Sequence, residues 1–600
     1  MAGVQSRNST ESVNPPTARP AEQRSSAGVE VHPLHRQLAA LPAGADRTVV
    51  VLPGKLRRST VAAWLSPFRS DRLHIISAAI GSEWRLADRS ITHHVAQSAE
   101  HLNWHLKLLG PIDVFVDLAG DPTDYPEAFQ RRFFHLRSGG CYAVRFPRKN
   151  SGAFGGRASA WIGSLVDPGR LSGSDPAADA DRPSNAARDS AVVEWSESTA
   201  VLSAGRDFVL LHKQQDHYLK LRDAETSRVL AVREPDLEVG VLSRRIAGGF
   251  ECGATVISHE SAVPIPALPT RVEYPTLWLR HYAGRVALAG NTLMYADSSV
   301  LPDSFRHHLQ PNPGNLRLIN VSADFARVPH DRRPTRTLPG TFYQIESTFP
   351  GHFGHVMTEL VSRLWGWAEA KQAFPDLKAV FHARRPREAA TALERYILQG
   401  YGIAAEDIVA LNDPVYLESV VSASPMWHNH VPHYVHPDIT DVWQRLAEGL
   451  IDANAPSYDR IFVSRTSRWK RRVCRNAGDV ERLFEAHGFT VIYPETLDLG
   501  VQAALFANAT VIAGFGGSAL FNMIYARKLQ TLIVLSHEAY TARNEHLFSC
   551  LSDITVHYYW SPPDIPHPPG GWLQEAFYSG WEFDFARNEG SLRSLLTSLP

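Results

Sequence analysis

Hydrophobic positions in this chain fall into short blocks, some continuous or alternating and some spaced at the 3.6-residue period of a helix. In the first part, "RTVVVLPG" and "DRLHIISAAIG" read as strands, "RSITHHVAQSAEHLNWHLKLLG" as a helix stopped at Gly110, and "IDVFVDLAG" as a buried strand. "PEAFQRRFFHLRSGG" then reads as a helix with a glycine stop and "CYAVRF" as a further strand. This alternation predicts a small parallel-sheet unit over residues 31–150.

Residues 191–330 carry shorter apolar runs: "AVVEWSE", "FVLLHKQ", "HYLKLRD", "RVLAVRE" and "TLWLRHYAGRVALAG". These predict a strand-rich section with hairpins. From about residue 340 strands and helices alternate again. "PGHFGHVMTELVSRLWGWAEAKQAFP" places Val356, Leu360, Leu364 and Trp367 on one face of an expected amphipathic helix. "LKAVFHA" reads as a strand and "EAATALERYILQGYG" as a helix ended by Gly402. A regular series follows: strand "DRIFVSR", helix "NAGDVERLFEAHG" with Asn476 as cap, strand "TVIYPE", helix "DLGVQAALFANA" after Asp498, strand "TVIAG", helix "SALFNMIYARK" and strand "TLIVLS". Short loops between alternating elements imply right-handed crossovers and a parallel sheet.

Composition changes this picture at a few points. Six hundred residues are too many for one core, and 44% hydrophobic with 20% charged is the balance of a globular protein. A net charge of −1 gives no bulk field for nucleic acid or anionic lipid, so any anion site must be local and no nucleic-acid partner is expected. Residues 1–30 are Ser-, Pro- and Thr-rich and read as disordered, and 151–190 as a flexible linker. The N-terminus lacks an apolar signal region and no run reaches the roughly 20 apolar residues of a membrane span. A cytoplasmic protein is expected, with any membrane association peripheral. Cys141, Cys252, Cys474 and Cys550 lie far apart and form no CxxC pair, so they read as reduced core thiols.

Candidate chemistry concentrates near the C-terminus. In "VIAGFGGSALFNMIYA" a strand meets Gly516 and Gly517 and a helix begins near Ser518. Glycines permit close backbone approach, and a helix start at the carboxyl end of a parallel strand suits a phosphate. A plain tight turn would use the same residues. "IFVSRTSRWKRRVCRN" ends a neighbouring strand with Arg465 and adds Arg468, Lys470, Arg471, Arg472 and Arg475. These arginines could clamp a diphosphate from the other side or form a solvated basic loop.

The order of these features resembles glycosyltransferase family 61 over about residues 265–540. The matching positions are Arg465, Arg472 or Arg475, Asn476, Gly488-Phe489, Pro494-Glu495, Gln502, Gly514, Gly517 and Asn522. Upstream, "GHFGHVMTELVSRLWGW" matches a family segment with His355, Glu359 and Arg363 in place, and "GRVALAGNTLMYADSSVLPDSFRH" resembles its strand-rich lead-in. The resemblance implies an α/β fold with a GT-B-like pair of Rossmann-like domains (residues 331–450 and 451–600). It implies inverting transfer from a nucleotide-sugar to a glycan or lipid-linked glycan, with surface-polysaccharide assembly as a pathway, and neither metal nor cofactor. Arg465, Arg472, Glu495, Gly516, Gly517, Ser518 and Asn522 become the expected donor site. His355, one helical turn from Glu359, becomes the expected base.

Two departures stand out. Many members have His-Gly-Ala-Gly before the final Asn, where this chain has Gly516-Gly517-Ser518-Ala519. The Asn expected before the first motif His is replaced by Gly351-His352. The missing His keeps a non-catalytic scaffold as the alternative. "WHNHVPHYVHPD" holds His428, His430, His433 and His436, a weak metal signal read instead as loop and acceptor-cleft residues. The first unit is similar to the later half of class I methyltransferases through Asp117, Gly139 and Gly140. Its first strand leads into "VVVLPGKLRRST", without a glycine-rich cofactor loop, so a cofactor-free relic or docking domain is expected.

Overall fold

The structure, a computed structural model, describes residues 32–599 except 42–45, 55, 57, 69–70, 79–90, 119–128, 130, 146–196, 205–207, 266–268, 386–391 and 467–470. The disordered segment expected over 1–30, the linker over 151–190, Arg468 and Lys470 lie outside the described residues, as do nearly all of "AVVEWSE" and Pro126, Glu127, Ala128 and Gln130 of the helix expected in "PEAFQRRFFHLRSGG", whose Leu136–Gly140 belong instead to the strand Leu136–Arg145.

Three large sheets organise the chain. The N-terminal sheet has seven strands in the spatial order Ile91–Val95, Arg72–Ser77, Thr48–Leu52, Ile112–Asp117, Leu136–Arg145, Phe208–Lys213, Thr199–Ala204. Its first five strands are parallel and its last two pair antiparallel. The sequence reading placed residues 91–95 in a helix. They form an edge strand because β-branched Ile91 and Thr92 pair with Leu73 and His74. The helix begins only at Ala99, where Ser98 caps it by accepting from the His101 N–H at 3.2 Å.

The strand-rich section is divided among the sheets. Thr199–Ala204 and Phe208–Lys213 complete the N-terminal sheet, while Glu238–Arg245 and Leu277–Leu288 build the central one. Thr255–Ser258 pairs with Thr555–Ser561 at the edge of the C-terminal sheet. "RVLAVRE", expected as a strand, lies in the helix Thr226–Arg233. Val229, Leu230 and Arg233 fall on one buried face, a helical spacing that the β-branched composition concealed.

In the central sheet, Val415–Ala423, Thr337–Gln344, Lys378–His382 and Ile408–Leu411 run parallel in that order, and Leu277–Leu288 pairs antiparallel beside them. The C-terminal sheet is parallel throughout, in the order Thr255–Ser258, Thr555–Ser561, Thr531–His537, Val511–Phe515, Arg460–Val463, Thr490–Ile492. One apolar core joins the two sheets. Leu279 and Tyr343 from the central sheet and Ile461 and Val534 from the C-terminal sheet belong to it, with Val442 and Leu446 of the helix Ile439–Leu450 and Phe506 of the helix Leu499–Asn508. A second core links the other face of the central sheet to the N-terminal sheet through Tyr142, Tyr282 and Phe325.

The helix expected over "GHFGHVMTELVSRLWGW" is not uniform. An α turn at Phe353–His355 passes into a π turn at Val356–Leu360, a 3₁₀ stretch at Val361–Gly366 and an α-helix at Trp367–Ala373. Side chains compete here for backbone acceptors: the Thr358 hydroxyl donates to the Gly354 carbonyl and the Ser362 hydroxyl to the Glu359 carbonyl, both at 2.8 Å. Residues Ser518–Tyr525 likewise form a 3₁₀ helix, with Gly517 and not Ser518 at its cap.

Candidate active site

Both parallel sheets reverse their strand order where they face each other. In the C-terminal sheet, Arg460–Val463 has Thr490–Ile492 on one side and Val511–Phe515 on the other. In the central sheet, Thr337–Gln344 lies between Lys378–His382 and Val415–Ala423. Crevices at the carboxyl ends of such strands are where open α/β sheets bind ligands. The ends of both sheets open into one cavity of 1210 Å³, bordered by Arg465, Ser518 and Asn522 on one side and His355 and His382 on the other. The two sides touch: a Cβ on Gly354 would lie 3.0 Å from the Ser518 Cβ.

Arg465 leaves the end of Arg460–Val463 and donates to the Gly516 carbonyl at 2.5 Å. Arg472 reaches the same point from a loop where its own backbone is left-handed, at φ 54°, held by its N–H donating to the Tyr578 carbonyl at 3.1 Å. Its guanidinium lies over the Tyr540 ring, 4.5 Å from the centroid, and its buried Nε has no partner. Gly517 sits beneath both, at φ 141°, and a Cβ there would overlap Arg465 Nη2 and approach Arg472 Nη2 to 3.3 Å. Among the described residues neither arginine forms an ion pair with a carboxylate. Burial and the adjacent Arg472 charge pull Arg465 down to about 10. His537, at the end of the next strand, is held neutral down to about 3, by burial first and then by both guanidiniums. Positive charge is thus concentrated here, with Glu545 and Glu495 as the acidic groups that act on Arg465 without pairing with it.

The expected donor residues separate into distinct environments. The Gly517 N–H is not free for a ligand, because it donates to the buried Glu545 carboxylate at 2.7 Å. Ser518 and Ala519 border the cavity. Asn522 is fully buried and donates to Gln502 Oε1 at 3.0 Å and the Ala519 carbonyl at 3.1 Å, which leaves its Oδ1 without a partner. Glu495 lines the cavity and accepts from the Thr466 N–H at 2.6 Å. Of the two motif arginines, Arg472 lines the cavity, whereas Arg475 is engaged by Asp564 and Glu582 at 2.5 and 3.0 Å.

Across the cavity, His355 Nδ1 lies 2.5 Å from Glu359 Oε1. Glu359 also meets Arg306 Nε at 2.9 Å and accepts from the Thr348 N–H at 2.6 Å. Burial alone would raise the Glu359 carboxyl. The Arg306 charge and the His355 and Thr348 hydrogen bonds outweigh it and bring the group down to about 2. An ionised carboxylate on Nδ1 makes that nitrogen the donor, and in the neutral imidazole Nε2 is then the acceptor.

Several residues at the cavity were not singled out in the sequence. His382 Nδ1 meets Glu346 Oε1 at 2.5 Å, forming a second imidazole–carboxylate pair. Glu346 also accepts from the Thr292 N–H at 2.8 Å. Asn291 and Thr292 are successive left-handed residues, at φ 53° and 70°, a strained conformation for a β-branched side chain. Arg306, Arg317, Arg332 and Arg384 border the cavity on this side, facing Arg465, Arg471 and Arg472, while Glu495 is the one carboxylate among its described lining residues. Arg306 lies in "GRVALAGNTLMYADSSVLPDSFRH", where nothing in its spacing distinguishes it. The histidine tract does not converge on a metal geometry among the described residues: His428 stacks on Tyr434 at 5.6 Å, and His436 contacts Tyr274 at 4.5 Å.

Residues 353–533 match the family model described as Glycosyltransferase 61. The match takes in under a third of the chain: the broken helix bearing His355, the last strands of the central sheet, and Arg460–Val463, Thr490–Ile492 and Val511–Phe515 of the C-terminal sheet. The comparison with curated proteins found no match. Among solved structures, the chain is similar to the MycE methyltransferase from the mycinamycin biosynthetic pathway in complex with Mg and SAH, at 17% identity and a TM-score of 0.20, over 28% of this chain and 42% of that one. It is also similar to a putative S-adenosyl-L-methionine-dependent methyltransferase from Methanococcus maripaludis, at 11% identity and a TM-score of 0.19, over 30% of this chain and 84% of that one. The chain thus spans under half the length of the MycE protein that it matches. In the N-terminal sheet, Asp117 is ion-paired with Arg132 and accepts from the Tyr142 hydroxyl at 2.8 Å. Among the described residues no helix is long and apolar enough to cross a membrane.

Proposed function

We propose that the glycosyltransferase 61 domain transfers a sugar with inversion from a nucleotide-sugar to a hydroxyl of a glycan or lipid-linked glycan, working as a GT-B-like pair of lobes. The observation that carries this reading is the convergence of Arg465 and Arg472 on Gly517, with no carboxylate paired to either among the described residues, at the crevice of the C-terminal sheet. A diphosphate supplies the missing negative charge, and two guanidiniums match its oxygens. The unpartnered Asn522 Oδ1 and the Glu495 carboxylate are acceptors suited to donor hydroxyls.

In the reaction, His355 Nε2 takes the proton of the acceptor hydroxyl, and Glu359 stabilises the imidazolium that results. The acceptor oxygen forms its bond to the anomeric carbon as the bond to the diphosphate oxygen breaks. The electron pair leaves with the diphosphate, whose charge Arg465 and Arg472 receive. Of the four arginines on the His355 side, Arg306 is paired with Glu359 and Arg332 with Asp331, and Arg317 and Arg384 favour an acceptor that is itself anionic, such as an acidic or phosphate-linked glycan.

Thermal unfolding against a panel of nucleoside diphosphates and nucleotide-sugars tests the reading. One nucleotide family should raise the melting temperature of the native chain and not of Arg465→Ala. No shift from any of them, in folded protein, removes the donor site.

A further inference from the structure

Cys252 and Cys550 are 298 positions apart in sequence, yet their sulfurs and an imidazole nitrogen of His546 all lie within 4.8 Å of one another. Among the described residues this is the one group of three His, Cys, Asp or Glu side chains gathered so tightly. We propose that Cys252, His546 and Cys550 form a binding site for a borderline-soft divalent cation of the zinc class, separate from the glycosyltransferase cavity.

The geometry suits that ion. Cys550 Sγ lies 3.4 Å from His546 Nε2, a nitrogen that also sits 3.2 Å from the Pro269 carbonyl and would exchange that contact for the ion. Tetrahedral zinc, with bonds of about 2.3 Å to sulfur and about 2.0 Å to nitrogen, sets an S···N edge of about 3.6 Å. Two sulfurs and one imidazole select zinc over calcium or magnesium, which take oxygen ligands. His546 and Cys550 are spaced i, i+4, with the Cys550 N–H donating to the His546 carbonyl at 2.9 Å, so both project from one side of the turn. Cys252 is brought to them by backbone pairing on either side: its N–H donates to Thr270 at 2.7 Å, and the Gly253 N–H donates to the Cys550 carbonyl at 2.8 Å.

A fourth position is available. Cys252 and His546 line a separate cavity of 300 Å³ together with Arg543, Tyr558 and Trp560. The buried Tyr558 hydroxyl has no partner, and a water completing a metal's coordination would give it one. Loading releases the thiol protons of Cys252 and Cys550 to solvent, and the two thiolates then balance the two charges of the ion. The ion would fasten the edge strand Thr255–Ser258 to the helix Asn544–Ser549. That helix supplies Glu545, the acceptor for the Gly517 N–H.

The test uses the full chain, reduced and stripped of metal, titrated with Zn²⁺ alone and with Co²⁺ alone. The expected result is one ion per chain and, for Co²⁺, the thiolate-to-metal absorption and visible bands of a tetrahedral site. Cys252→Ser and His546→Gln, each checked for native circular dichroism, should each weaken Co²⁺ binding at least tenfold. Using both variants guards against one of them failing to fold. Stoichiometric uptake without thiolate bands, uptake unchanged in both variants, or no uptake by the reduced chain overturns the proposal. So does isolation of the native chain with Cys252 and Cys550 joined as a disulfide.

Discussion

A Cβ placed on Gly517 would overlap the guanidinium of Arg465, and the glycine's own φ is 141°. The two facts have one origin. The backbone must turn through a region open mainly to glycine while a cation is packed against its face. Gly517→Ala is therefore expected to displace Arg465 and to cost about 1–3 kcal/mol in backbone strain. Urea unfolding should register the loss of stability, and the rise in melting temperature proposed for one nucleotide family should vanish with it.

Arg472 is held over Tyr540 by its planar group, 4.5 Å from the ring centroid, with Phe577 at 5.7 Å. Lysine keeps the charge but loses the fork and the stacking. Arg472→Lys should weaken nucleoside diphosphate binding by more than tenfold while the fold persists. Calorimetric titration compared with wild type measures it; equal affinity would mean that only net charge matters at this position.

His355→Gln is expected to lower kcat by about 10² to 10⁴ with little change in donor affinity, because the proton transfer proposed for it belongs to the transition state. Donor binding and turnover measured on one preparation separate these effects. A loss confined to donor binding would move the base elsewhere.

Glu359 also carries a stability consequence. Its folded value of about 2 lies below the usual carboxylate value. It therefore adds roughly 3 kcal/mol above about pH 5, an amount lost as pH falls from there through its folded value. Glu359→Gln should unfold more readily than wild type at pH 7, and the gap should narrow below pH 4. A gap independent of pH would assign the loss to packing.

His382 has the opposite sign. Burial lowers it, but the Glu346 carboxylate outweighs burial and raises it. Its contribution is complete below the ordinary value of about 6.5 and disappears as pH rises through the higher folded value. The stability difference between wild type and His382→Gln should therefore be largest at mildly acid pH and shrink under alkaline conditions. Denaturant midpoints across pH 5 to about 9 read this directly.

Much of this protein was decided by local pattern. The parallel strands at Arg460–Val463, Thr490–Ile492, Val511–Phe515 and Thr531–His537 are short apolar runs separated by helices, and neighbouring residues suffice to specify them, although neither Asn476 nor Asp498 makes the side-chain cap expected of it. The position of Arg465 at a strand end and of two glycines at the next followed from the same pattern. Elements failed where a local signal was overridden. The β-branched run at Thr226–Arg233 turned helical because its apolar face packs beside the helix Ala99–Leu108, and the broken helix after Phe353 reflects hydroxyls competing for carbonyls.

What only the tertiary structure decided were meetings between distant segments. Arg306 reaches Glu359, Glu346 joins His382 to the Thr292 N–H, Glu545 takes the Gly517 N–H, and Cys252 comes to Cys550. Each depends on which sheet a strand joins and on how two sheets share one core. Hydrophobic period carries no information about that choice, because a buried strand looks alike in either sheet.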